Sequence, residues 1–294
     1  LDRAVIPART PNMSPAARIS PPMFCGISPQ PFTLLVILSK TLYNGRETKR
    51  WEVLYLKTDS GQKSYLVCEQ KMVYTLLMAS AGMMGAYTYL LRGGVFCNAQ
   101  TANVLVMAMS FGKGDWAGGL YYLIPFSAYL LGAFVSEILP SPVKRLGFLR
   151  WDTYLILFET AVLFLLGFVP LSVPHQIVQV AVNFLASMQY NTFRQAEGIP
   201  MATTFCTNHI RQVGVGFAKA VRKRDCDALR RGLIALGMVG SGFVGAALLT
   251  ALCGPLAEKA IWLTLIPMGI VLVRLIRADL GSEHEALDRK PSGH

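Results

Sequence analysis

Charge is scarce in this chain. Of its 294 residues only 15% are Asp, Glu, Lys or Arg, while 53% are hydrophobic, far short of the quarter that a soluble domain carries. Water is therefore not its main solvent. Histidine is limited to four residues, and the six cysteines, Cys25, Cys68, Cys97, Cys206, Cys226 and Cys253, form no CxxC pair and no cluster with the histidines. That excludes a zinc site and a disulfide framework, so free thiols, no metal and no cofactor are expected. The chain also lacks a Walker loop, a G-x-S-x-G elbow, an H-E-x-x-H helix and a dinucleotide fingerprint. No enzyme class is supported, and the chain is read as a non-enzyme.

What the sequence has instead is long apolar runs. A 30 Å hydrocarbon layer demands about 17 to 25 apolar residues of a helix, and six segments qualify: 72–91, 116–138, 153–169, 176–192, 232–253 and 260–273. The expected fold class is all-α, a multi-pass bundle in a bacterial inner or plasma membrane, with the lipid bilayer as its first partner. The net charge of +11 does not indicate nucleic acid, because the basic residues lie between apolar runs, as in cytoplasmic loops facing anionic lipid. Residues 1–70 read differently. They are rich in Pro, Ser, Arg and Lys, their one apolar run (32–38) is too short to span, and no signal peptide is recognisable. This segment is expected to be poorly ordered, or to be translated upstream sequence with the functional start near Met72. The transmembrane domain is placed at 71–278 and a polar tail at 279–294.

Two further segments, 95–111 and 201–221, have helical character but are too polar to face lipid. The first carries Asn98, Gln100, Thr101 and Asn103; the second carries Thr203, Thr204, Thr207, Asn208, His209, Arg211, Gln212 and Lys219. Such residues belong inside a bundle or along a water-filled cavity. The distribution of basic residues decides whether these segments cross. With eight crossings, Lys144, Arg145 and Arg150 would lie outside. If both polar segments enter and leave on one face, that loop moves inside with Arg194, the Arg222-Lys223-Arg224 cluster, Arg230, Arg231, Arg274 and Arg277. The six-span count obeys the positive-inside rule.

The two polar segments also resemble each other. Residues 94–103 (GVFCNAQTAN) align with 200–209 (PMATTFCTNH), each is followed by a charged turn containing Asp115 or Asp225, and Gly132 then answers Gly242. Three crossings per repeat turn the second copy upside down. Inverted repeats with polar, interrupted helices at corresponding positions point to a transport site at the bilayer midplane.

Candidate pathway residues follow. Asn98, Gln100, Thr101 and Asn103 in one segment, and Thr204, Thr207, Asn208 and His209 in the other, carry hydroxyls and amides that can replace water around a small polar solute or ion. Interhelical hydrogen bonding is the competing role for the same residues. Glu159, central in the third span, is a proton or cation site, a partner for Arg194 or Arg211, or a static buried group. The small-residue runs around Gly82 and Gly85, and at Gly237, Ser241, Gly242 and Gly245, read as close helix packing.

Taken together, residues 85–90 (GAYTYL), 93–96 (GGVF), 98–103 (NAQTAN), 114–116 (GDW), 191–194 (NTFR) and 202–207 (ATTFCT) resemble the YoaK family of bacterial integral membrane proteins over about residues 72–277. The resemblance implies a multi-pass membrane protein in a family classed as a domain of unknown function. It also implies an acidic residue where this chain has Gly85, Thr-Gly-Asn where it has Thr101-Ala102-Asn103, and a second Thr-Gly-Asn at Thr207-Asn208-His209. Those departures would alter selectivity if the positions form a solute site.

The leading expectation is a permease or channel for a small polar solute or ion. The alternatives are a membrane scaffold or regulator that binds anionic lipid or an acidic partner through its basic loop at 219–231, and an intramembrane enzyme using Glu159 and His209. Mass spectrometry of the mature amino terminus is expected to find a start at Met72; peptides preceding it would overturn the upstream-translation reading.

Overall fold

The computed structural model describes residues 65–144, 147–204, 206–287, 289 and 291, so most of the 1–70 segment lies outside the described residues. Among the described residues the architecture is helical: α1 (Lys71–Leu91), α2 (Gln100–Gly112), α3 (Trp116–Ile138), the short α4 (Pro140–Lys144), α5 (Trp151–Leu166), α6 (His175–Thr192), α7 (Thr207–Lys223), α8 (Cys226–Leu256) and α9 (Leu265–Arg277). A 3₁₀ segment, Ala257–Thr264, joins α8 to α9. The only sheet described is a two-residue hairpin, β1 (Gln195–Ala196) with β2 (Ile199–Pro200), turned by Glu197 and Gly198 at positive φ, the geometry of a tight two-residue hairpin loop.

Contacts between helix ends fix the directions. At one end of the bundle, Tyr74 near the start of α1 donates to the Gln195 carbonyl after α6, Arg274 near the end of α9 reaches Gln70, and Arg150 before α5 pairs with Asp279 after α9. At the opposite end, Arg92 after α1 donates to the Val169 and Pro170 carbonyls after α5, Tyr121 in α3 reaches Gly93, and Tyr87 reaches Glu258 after α8. Helices α1, α5 and α8 thus run from the first end to the second, and α3, α6 and α9 return.

The two polar segments do neither. The chain descends from Gly93 without regular structure, and at mid-depth Asn98 donates to the Ala81 carbonyl in the middle of α1 while Gln100 donates to Asn183 in the middle of α6. Helix α2 then climbs back to the end it came from, where Phe111 meets Trp116. On the other side, α7 packs Gly216 on Ala228 and Gly232. The helices expected over 95–111 and 201–221 begin later, at Gln100 and Thr207, and side-chain bonds from Asn103 to Phe96 and from His209 to Ala202 hold backbone that precedes them. The spans expected at 232–253 and 260–273 also shift. Asp225 caps α8 by accepting from Ala228 N–H at 2.9 Å, so α8 starts at Cys226, and the following run opens as a 3₁₀ segment before α9. Asp115 caps α3 in the same way on Gly118.

Helices α1 and α8 form the most extensive pair, with α3 and α6 next and α7 on α8 and α2 on α3 after them. A Cβ on Gly82 would collide with the Gly242 carbonyl, one on Gly245 with the Ala79 carbonyl, and one on Gly132 with the Phe184 carbonyl. These crossings are close enough that only glycine fits. Two helical stretches, Trp116–Val143 and Cys226–Ser282, are long and apolar enough to cross a membrane, and only 22% and 33% of their most apolar windows are buried. Leu130, Phe134, Leu165 and Phe243 point outward.

Gly82→Ala and Gly245→Ala are each expected to lower stability by about 1–3 kcal/mol through overpacking. Gly237→Ala and Gly240→Ala in the same α8, where the added methyl meets open space, are expected to be neutral or to stabilise by up to about 1 kcal/mol. Thermal unfolding of the detergent-solubilised chain separates the two sets.

Candidate functional site

The apolar core divides into two clusters. One, toward the first end, contains Leu77, Met78, Ile156, Met188 and Met268; the other, toward the second, contains Ala81, Met84, Leu163, Leu185 and Leu249. Between them each central helix carries a polar residue: Ser80 in α1, Glu159 in α5 and Ser187 in α6, all buried. Buried Gln189, Thr203 and Thr204 join them. Among the described residues, Tyr129 Oη, both Glu159 oxygens, Ser187 Oγ, both polar atoms of the Gln189 amide, and the Thr203 and Thr204 hydroxyls are out of contact with solvent and have no hydrogen-bond partner. An unpaired buried polar group costs about 1–3 kcal/mol, and native folds retain few of them. Arg150 Nε, His175 Nδ1, Gln179 Oε1 and His209 Nδ1 are without a hydrogen-bond partner as well, and the candidate site is the set that falls between the two apolar clusters.

Tyr129 sits at the junction. Its hydroxyl lies beside that of Thr204 without completing a hydrogen bond, and near the Cys97 thiol. Cys97 precedes the first residue of α2 by three positions, and Thr204 precedes the first residue of α7 by three. The two interrupted segments, descending from opposite ends, thus meet around one tyrosine.

The residues anticipated from sequence divide into two groups. Asn98 bonds the Ala81 carbonyl, and Gln100 bonds Asn183 at 2.7 Å and the Cys97 carbonyl. Asn103 accepts from Phe96 N–H at 3.2 Å and donates to the Phe96 carbonyl at 2.7 Å. The His209 ring Nε2 meets the Ala202 carbonyl at 2.8 Å. Asn103 and His209 each reach back seven residues to bond the backbone that precedes their helix, and they are aligned positions of the two polar segments. Thr204 and Glu159 are buried in the polar layer. Thr101, Thr207 and Arg211 are exposed and Asn208 is half-buried, with Arg211 donating to Asn208 at 3.1 Å. Arg194 lies at the first end on Glu137 and Asn191, so neither arginine partners Glu159.

Sequence reasoning missed a stripe on α6: Gln179, Asn183, Ser187 and Asn191, spaced four apart along one helix face. Gln179 bonds Tyr121 at 2.6 Å, Asn183 receives Gln100, Ser187 faces Gly132, and Asn191 donates to Ser136 at 2.9 Å. The repeated spacing of polar residues inside an apolar run was the available signal. At the first end the stripe reaches a cavity of about 580 Å³ lined by Ser136, Glu137, Arg150, Asp152, Asn191 and Arg194. Beside it Arg150 and Asp279 form a buried ion pair at 3.5 Å, with Cys68 against the guanidinium. Burial first, and the Asp152 carboxylate second, push the Cys68 thiol well up, so it is not a reactive thiolate.

Asn103→Ala removes both bonds to Phe96 and leaves its backbone unpaired. A loss of about 2 kcal/mol in thermal or denaturant unfolding is expected, against less than about 0.5 kcal/mol for exposed Thr101→Ala.

The described residues hold no cluster of His, Cys, Asp and Glu that could bind a metal ion. No curated protein and no solved structure matches the chain. Residues 73–274, which take in α2, α7 and the polar layer, match the family described as protein of unknown function (DUF1275), and the chain belongs to that family.

Proposed function

We propose that the chain is an integral membrane permease or channel for a small polar solute or ion, built of six spans and two re-entrant helices in inverted repeats. The observation that carries this is the polar layer: unpartnered buried donors and acceptors gathered where two interrupted segments from opposite ends converge. A packing device would be satisfied internally, whereas a pathway needs groups that stand in for a solute's hydration shell.

The architecture supports it. The 21-residue α1 and 18-residue α6 measure about 31 and 27 Å, close to the hydrocarbon thickness. Exchanging the first set of helices for the second preserves the pattern of contacts: α1 on α8 becomes α6 on α3, α2 on α3 becomes α7 on α8, and α5 on α6 becomes α9 on α1. Basic residues mark the orientation. The first end carries Lys71, Arg150, Arg194, Arg222, Lys223, Arg224, Arg274 and Arg277, while the second carries Arg92, Lys113 and Lys259, so the first end is cytoplasmic. The exposed basic turn at 222–224 then serves as a contact for anionic headgroups.

Single cysteines at exposed Lys113 and Phe148 in a cysteine-free background test the topology with a membrane-impermeant thiol reagent. Label at 113 and protection at 148 from outside is expected; the reverse would require eight crossings and end the inverted-repeat reading. For the activity, proteoliposomes containing the full chain are expected to pass at least one solute in an osmotic-shrinkage panel of glycerol, potassium and chloride salts. A panel with no permeant solute would overturn the permease.

A further inference from the structure

We infer that transport through this chain is coupled to protons and that the Glu159 carboxyl is the group that carries them. The inference deepens the permease reading and rests on it. Glu159 stands near the middle of the 16-residue α5 and is 1% exposed. Ile156, three residues before it, belongs to the first apolar cluster, and Leu163, four residues after it, to the second; both are wholly buried. Residues three and four apart share a helix face, so packed side chains close off the carboxyl toward both ends of the bundle. Trp151 at the start of α5 donates to Thr192 at the end of α6 at 3.0 Å. Counting about eight residues along each antiparallel helix from that bond puts Glu159 roughly level with Phe184 and about one turn from Ser187.

Among the described residues nothing neutralises a charge at that level. Both carboxyl oxygens are out of contact with solvent and neither has a hydrogen-bond partner. The elements packed on α5 are α6, α9, the 257–264 segment and the short α4, which lies wholly at the first end. The titratable groups of the first three are His175 and Tyr190 on α6, Arg274 and Arg277 on α9, and Glu258 and Lys259 in the 3₁₀ segment. All stand toward the ends of the bundle, as do Asp152 and Tyr154 on α5 itself. Arg150 and Arg194 pair with other carboxylates. An ionised carboxylate left unpaired in an apolar interior is far costlier than a neutral one, and the group takes up a proton instead.

A carboxyl retained as glue between helices would engage its O–H and its oxygens with neighbours, as Gln100 does with Asn183. Glu159 bonds none. An alkali cation would need several oxygens converging on one point, whereas a proton needs one. The layer beside Glu159 holds unpartnered groups of both kinds: the Ser187, Thr203 and Thr204 hydroxyls, and the donor and acceptor of the Gln189 amide. Such a mixture suits water or a polar solute that delivers a proton to the carboxyl and removes it, the use to which isolated carboxyls inside spans are put. The step is a proton transfer alone: a carboxylate oxygen takes a proton from water on one side, and the same O–H bond breaks to water on the other.

The test is proton movement in proteoliposomes holding the full chain, read by an entrapped pH-sensitive dye while an inward gradient of glycerol, or of potassium chloride in a second run, is imposed. Wild type is expected to change its lumen pH, beyond protein-free liposomes, as the permeant probe enters. Glu159→Gln is expected to pass the probe and lose the pH change, and Glu159→Asp, which keeps the carboxyl, to retain it. Entry of a probe with no pH change in wild type overturns the coupling and leaves the permease standing. A pH change that persists in Glu159→Gln overturns the assignment to this residue. If that variant does not fold, wild type decides: dicyclohexylcarbodiimide, which adds to protonated carboxyls in apolar surroundings, is expected to abolish the response and leave its mass on the peptide holding Glu159. An unaffected response, or the mass on another peptide alone, overturns the assignment. No entry of either probe overturns both readings.

Discussion

Two stretches of non-helical backbone lie deep inside an apolar bundle, and everything else in the structure depends on satisfying them. An amide group left unpaired away from water costs several kcal/mol. Asn103 answers for the first stretch by taking both backbone groups of Phe96, and His209 answers for the second at the Ala202 carbonyl. Asn98 and Gln100 then tie the first loop to α1 and α6. With those bonds in place α2 and α7 can begin at mid-depth, which brings their amino termini and Tyr129 into one layer. Close crossings complete the arrangement. Gly82, Gly132, Gly242 and Gly245 let α1 meet α8 and α3 meet α6, so the walls around the loops pack by backbone contact.

The fold was legible where composition alone decides it. Apolar runs gave the long helices, and Asn103 and His209, which the comparison of 94–103 with 200–209 sets side by side, each bond the residue seven positions back. The helix starts were less legible. Hydropathy treats 95–99 and 201–206 as continuous with the helices that follow, since nothing in an apolar window records that a side chain seven residues ahead will capture the backbone. Capping was readable in kind but not in extent: the charged turns at Asp115 and Asp225 were seen as turns, whereas their role is to start α3 and α8.

The candidate site was half legible. Thr204 and Glu159 were singled out and lie in the buried layer, while Arg194 and Arg211 are occupied elsewhere. Tyr129 escaped notice because a tyrosine within an apolar run looks like an interfacial anchor, and Ser187 and Gln189 because the polar spacing along α6 went unread. Which side chains are orphaned depends on three-dimensional neighbours, and sequence does not display them.

That distinction separates two roles that hydroxyl and amide residues share inside membranes. Asn98, Gln100 and Asn103 each have a partner, as does His209 through Nε2 alone, and these bonds stabilise the bundle. Tyr129, Ser187, Gln189, Thr203 and Thr204 have polar atoms with none, and every such atom subtracts from stability. Valine or leucine at these places would pack against the neighbouring clusters at no such cost. The layer is therefore expensive as packing, and the bonded residues beside it hold the backbone at the two interrupted segments.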